Sequence, residues 1–133
     1  MISGKSVDGS PDEMYQAIGN SIMRKAPPDF LEAWVPVQLS PNMFAIELFY
    51  RTPSLRISHQ VIDLEDMAAL FMKLHSLYEP RSKWTTATFH LQSSGRMSLD
   101  LGYEDVEDFN AAPAARNAWI EKYLGKDAIV DWQ

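Results

Sequence analysis

The sequence predicts an α+β domain, with one antiparallel sheet of about four to five strands packed by helices in the order α-β-β-β-α-β-β-α. Apolar residues recur at helical spacing around Met14–Ile22, Leu64–Tyr78 and Ala115–Tyr123. Between these stretches the chain alternates apolar and polar residues, as in Phe44, Ile46, Leu48 and Tyr50. Short turns join the alternating segments, and short turns connect antiparallel neighbours.

Residues 1–10 read as a loose tail in a chain of 133 residues that fits one domain. Ser10-Pro11-Asp12-Glu13 then starts a helix, with Ser10 as cap, Pro11 at the first helical position and Glu13 completing a capping box. Met14, Ala17, Ile18, Ser21 and Ile22 form its inward face, and Pro27-Pro28 ends it. Phe30 to Leu39 reads as a strand, in which Pro36 argues for an edge position or a bulge. After the Pro41-Asn42 turn, Met43 to Arg51 alternates, with Glu47 and Arg51 on the polar face. Leu55, Ile57, His59 and Val61 alternate as a third strand beyond Thr52-Pro53-Ser54.

Asp63 can cap a second helix whose apolar face is Leu64, Met67, Ala68, Phe71, Leu74, His75 and Tyr78. Trp84 to Gln92 and Arg96 to Tyr103 read as a hairpin turned at Ser93-Ser94-Gly95. Met97, Leu99, Leu101 and Tyr103 share one side of the second strand. Pro113 opens a last helix with Ala115, Trp119, Ile120 and Tyr123 as its stripe, and Gly125 suits its C-terminal cap. Trp84 and Trp119 read as core residues, whereas Trp132 either tucks back onto the domain or stands as an exposed contact.

Apolar residues make up 46% of the chain, and four Trp, five Tyr and six Phe are more than a disordered acidic chain carries. The net charge of −6 argues against nucleic acid as a direct ligand, because phosphate contacts need clustered Lys and Arg. It suits a basic protein partner, and it equally suits an ordinary mildly acidic protein. Cysteine is absent, which excludes disulfides, thiol catalysis and Cys-based zinc sites and fits a reducing compartment. The first residues carry no apolar run of the secretory kind, and no stretch approaches the ~18 apolar residues of a membrane span. The expectation is a cytoplasmic protein that meets no membrane.

No catalytic constellation is visible. His59, His75 and His90 fall on different elements without metal-ligand spacing, which reads as a packed His75 and two strand-surface histidines. Asp63, Glu65 and Asp66 have a simpler role at a helix start, where acids meet free N–H groups and the dipole. No GxSxG, P-loop or GxGxxG occurs, and no cofactor is implied. The expectation is a protein without enzymatic activity.

The stretch from Lys83 to Gly125 carries the functional reading. Asp100, Glu104, Asp105, Glu107 and Asp108 lie within nine residues, free of Lys and Arg, with Tyr103 inside the run and Phe109 after it. A run of this kind is either a solubilising loop or a surface for a basic partner, where opposite charge speeds association and an aromatic anchors it. Asp100, Tyr103, Glu104, Asp105, Glu107 and Asp108 are therefore the candidate partner-binding residues.

The same stretch resembles the YezG-like immunity protein family. The resemblance rests on Trp84-Thr85-Thr86-Ala87-Thr88-Phe89, Gly95-Arg96, Tyr103-Glu104-Asp105, Arg116 and Trp119-Ile120-Glu121-Lys122-Tyr123-Leu124-Gly125. Upstream, a first helix, a strand with Trp34, a strand ending in Phe49-Tyr50 and a second helix follow in similar order. The chain departs from the pattern at Met97, where the family carries an aromatic, and residues 1–10 have no counterpart. The resemblance implies a cytoplasmic antitoxin that binds the toxic C-terminal domain of a polymorphic toxin, commonly a nuclease, and occludes it. The basic partner would then be that toxin domain, met by a monomer or weak dimer. A small acidic secretion chaperone shares the element order and is the competing reading.

Overall fold

A computed structural model describes residues 11–40, 43–54, 56–78, 83–103 and 113–132. Among them the chain forms α1 (Pro11–Lys25), β1 (Glu32–Ser40), β2 (Met43–Ile46), β3 (Leu48–Arg51), β4 (Ile57–Gln60), α2 (Glu65–Ser76), β5 (Thr86–Gln92), β6 (Met97–Gly102), α3 (Pro113–Tyr123) and β7 (Val130–Asp131). One sheet runs β6-β5-β1-β3-β4-β7, with β2 pairing β1 beside β3. All pairings are antiparallel except β4 with β7. The α+β architecture expected from the sequence is the observed one, extended by β7.

Strand β1 is central rather than at an edge, contrary to the expectation drawn from Pro36. It pairs with β5 along Glu32 to Gln38 and with β2 and β3 on its other side. The register explains how a central proline is tolerated. Val37 faces Ile46 and Trp34 faces Phe49, so Pro36 stands opposite Glu47, where β2 gives way to β3. The Glu47 N–H donates to the Pro36 carbonyl at 3.3 Å, but Pro36 has no N–H to return. One ladder bond is lost, and the strand read as Met43–Arg51 divides there. The partner strand is broken; β1 is not.

The two faces of the sheet are covered differently. Ala33, Val35 and Val37 of β1 point to the face carrying α1 and α2, with Leu48, Phe89 and Leu91 beside them. From the helices come Met14, Ile18 and Ile22, then Leu64, Met67, Phe71 and Leu74, all buried at the spacing the sequence shows. Phe44, Ile46 and Tyr50 pack on the same core, as the alternation predicts. Burying side chains of this size stabilises by about 1.5–3 kcal/mol each before entropy is charged against it. Gly19 lets α1 lie close over the sheet edge, since a Cβ there would stand 3.0 Å from the Met97 Sδ.

A polar contact fixes α1 against α2. The buried Ser21 hydroxyl donates to Asp66 Oδ2 at 2.8 Å, and Lys25 Nζ meets Asp66 Oδ1 at 2.8 Å. Burial raises the Asp66 pKa, but hydrogen bonds from Lys25, Ser21 and the Met67 amide outweigh it and hold the carboxyl far below its ordinary range. The expected Asp63 cap is absent. Leu64 holds the N-cap position without a side-chain cap, and Asp63 sits at φ 58° in the left-handed region. The acids of the first turn are Glu65 and Asp66, as the dipole favours. Ser10, the expected cap of α1, lies outside the described residues.

Phe89 lies fully buried on β5, in edge contact with Tyr15 of α1 and Phe71 of α2 at 6.2 and 6.3 Å between ring centroids. Phe89→Ala is expected to destabilise the fold by about 3–5 kcal/mol in urea unfolding, through lost burial and a cavity that both helices border.

Candidate functional site

The other face of the sheet carries the chemistry. The register directs Glu32, Trp34, Pro36 and Gln38 of β1 towards it, with Thr86, Thr88 and His90 of β5 and Asp100 of β6. Glu47, Phe49, Arg51, Ile57 and His59 join them from the opposite side of β1. Helix α3 crosses part of this face. Trp34, Phe49, Ile57 and Leu124 are buried beneath it, with Trp119, Ile120, Tyr123 and Val130 packed at their margin. Trp119 is thus half-buried rather than core, whereas Trp84 is fully buried.

Gly125 ends α3 in the left-handed conformation at φ 108°, and its N–H reaches the Ile120 carbonyl at 3.0 Å. The expected C-terminal cap is therefore present. The chain then returns to the sheet. The Ile57 N–H donates to Ile129 at 2.9 Å, and Arg56 grips Asp131 through Nε at 2.9 Å and through a second guanidinium nitrogen. Trp132 keeps 49% of its surface exposed while folding back edge-on against Phe49 and His59, so both readings of it hold in part.

Glu47 is the electrostatic centre of this face. Its Oε1 meets His59 Nε2 at 2.6 Å and accepts from the Arg116 guanidinium of α3. Arg116 also lies over the Trp132 ring, 4.8 Å from its centroid. Burial raises the Glu47 pKa, but hydrogen bonds and charge from His59 and Arg116 prevail and hold it below its ordinary value of 4.5. The His59 side chain is only 5% exposed, so it is not the surface histidine the sequence suggested. Its strand position looked exposed because the sequence does not show α3 and Trp132 returning over it. His90 stacks on Trp34 with ring centroids 5.2 Å apart and meets Glu32 at 3.0 Å. His75 packs against Trp84, and burial lowers its pKa first, with Lys83 adding to the effect. No group of His, Asp or Glu suited to hold a metal occurs among the described residues.

Beside this cluster α3 stands off the sheet and leaves a groove of about 410 Å³. Pro36, Gln38, Thr86 and Thr88 form part of its floor, and Trp119, Lys122 and Tyr123 part of its wall. The Trp119 indole N–H donates to Thr88 Oγ1 at 2.9 Å, and the Tyr123 hydroxyl donates to Asp100 Oδ2 at 3.0 Å. Burial raises the Tyr123 pKa first, and the carboxylate of Asp100 raises it further. Neither His59 nor His90 lines the groove.

The sequence-derived site is placed in part. Asp100 lies at the groove and already holds Tyr123. Tyr103, just past β6, is 55% exposed. Glu104, Asp105, Glu107 and Asp108 lie outside the described residues. Sequence reasoning missed the Glu47–His59–Arg116 group and the groove floor. Its available signal was Glu47 on the polar face of its strand, with Arg116 on the far helix.

No family model matches the chain. It is 24% identical, over an alignment 131 positions long, to the immunity protein YezG of Bacillus spizizenii (strain ATCC 23059 / NRRL B-14472 / W23), covering 85% of this chain and 81% of that protein. The likeness is distant and extends along most of both chains, which supports an immunity-protein-like relationship.

Glu47→Gln keeps the shape and removes the charge that His59 and Arg116 face. At pH 7 it is expected to lower unfolding free energy by about 1.5–3 kcal/mol. Because the folded-state pKa is depressed, the native carboxylate stabilises fully above about 4.5 and loses that contribution as pH falls through its lower folded value. The gap between native chain and variant should therefore close in acid, as urea unfolding between pH 7 and pH 3 will read.

Proposed function

We propose that this chain is an immunity protein that binds the toxic domain of a cognate polymorphic toxin and neutralises it by occlusion. The observation that carries this reading is the co-linear likeness to an immunity protein over most of both chains. The toxin domain proposed is a basic nuclease, whose charge the net −6 of this chain would complement.

The proposed contact is the acidic run after β6. Tyr103 offers a half-exposed aromatic as anchor, and Glu104, Asp105, Glu107 and Asp108 supply the charge that steers encounter. Asp100 contributes more to the fold than to the partner, because its carboxylate holds the Tyr123 hydroxyl of α3. Inhibition of this kind needs no chemical step. It needs a surface that keeps its shape on contact.

Co-expression with the toxic domain encoded beside this chain should restore growth and give a one-to-one complex on co-purification. A domain that kills despite this protein would remove the reading. Changing Glu104, Asp105, Glu107 and Asp108 together to Lys should slow association at low salt by about tenfold or more while leaving the circular dichroism unchanged. Tyr103→Ala should act differently, raising the dissociation rate with little effect on association. Full protection by a folded four-lysine variant would place the contact elsewhere.

A further inference from the structure

Strand β6 closes one end of the sheet, and its outer edge is open among the described residues. The hairpin fixes which backbone groups face outwards. The Gln92 N–H donates to the Arg96 carbonyl at 2.8 Å, so Arg96 and every second residue after it face β5. The Gly102 carbonyl agrees, accepting from the Thr85 N–H at 2.8 Å. The N–H and C=O groups of Met97, Leu99 and Leu101 therefore point away from the sheet. Edge strands are usually guarded by charged side chains, a proline, a bulge or a covering element. Met97–Gly102 reads MSLDLG and pairs with β5 without a bulge or a proline, and its single charge is Asp100.

The strand is also complementary to itself. Arg96 and Asp100 lie on the same face, opposite Gln92 and Thr88, and both are exposed. No described residue bonds the Arg96 guanidinium. We propose that this edge pairs with a second copy of the chain, β6 to β6 in antiparallel two-fold symmetry, joining two sheets into one. With the axis at Leu99, Met97 faces Leu101 of the second copy, and Asp100 faces its Ser98. Arg96 is then diagonal to Asp100 of the second copy, within reach of its long side chain. Moving the axis to Ser98 places Arg96 directly opposite that aspartate. Moving it to Asp100 sets the two aspartates against each other, which charge disfavours. On the other face Met97, Leu99 and Leu101 are half-buried and would meet their counterparts, adding apolar contact to the ladder. This goes beyond the immunity reading, because it concerns the chain alone and is tested without any toxin.

The test is sedimentation of the purified full chain from about 1 µM to about 1 mM, a range suited to an interface of modest area. The native chain should pass from monomer to dimer. Arg96→Asp and Asp100→Arg should each weaken the dimer at least about tenfold, since each brings like charges together at both ends of the pairing; Asp100→Arg also releases the Tyr123 hydroxyl, so its circular dichroism must match that of the native chain. An equal mixture of these two variants should recover a dimer, because each then presents to the other the charges it lacks. Leu99→Pro, which removes an outward N–H and no bond to β5, should abolish dimerisation with the circular dichroism preserved. A monomer at every concentration, a dimer indifferent to Leu99→Pro, or a mixture that stays monomeric would each overturn the proposal.

Discussion

Strand β1 is paired along both edges and carries a hydrophobic core on each face, and the rest of the structure takes its position from that. Its odd-numbered residues Ala33, Val35 and Val37 hold the larger core under α1 and α2. Trp34, between them, begins the smaller core under α3. A strand paired along both edges must satisfy its backbone groups through its neighbours, since water reaches neither edge. Pro36 breaks that rule once, and the cost falls on the partner strand at Glu47. The site of the missing bond is also the site of the buried carboxylate that ties α3 to the sheet.

The two faces are held by different physics. Under α1 and α2 the contacts are apolar and continuous, with Ser21–Asp66 as a polar clip at the side. Under α3 a small aromatic cluster is supplemented by directional bonds, from Arg116 to Glu47, from Trp119 to Thr88, from Tyr123 to Asp100, and from Arg51 to the Leu124 carbonyl at 3.0 Å. Apolar burial tolerates small shifts, whereas hydrogen bonds fix angle and register. Helix α3 is therefore located precisely enough by few contacts to leave a groove beside it without collapsing into it.

Much of this was legible in the sequence, and the gaps have physical causes. The faces of α1 and α2 follow from residues such as Ile18, Ile22, Phe71 and Leu74, where helical period and burial coincide. The β5–β6 hairpin follows from Ser93-Ser94-Gly95, with Gly95 at φ 98° as such a turn requires. What periodicity could not give is any pairing between distant strands. It misplaced Pro36 because a proline's tolerance depends on which neighbour its missing N–H faces, a property of the register. It took His59 for a surface residue because its cover comes from Trp132 and Arg116, far along the chain. β7 escaped because a two-residue parallel pair leaves no alternation to read. Of the candidate site, alternation sets Tyr103 on the same side as Met97, Leu99 and Leu101, yet it stands 55% exposed just past the strand end, while Asp100 serves the fold.

The central position of β1 also sets an order of assembly. Its pairings with β2 and β3 close short loops, so they are accessible within the first part of the chain to be made. Its pairing with β5, Trp34 against His90 and Val35 against Phe89, closes a loop that contains three strands and a helix. Non-local pairing of that kind slows folding, because chain entropy is spent before contacts return it. Until β5 emerges from the ribosome, β1 offers an open apolar edge, and the nascent chain is most vulnerable to misassociation in that interval.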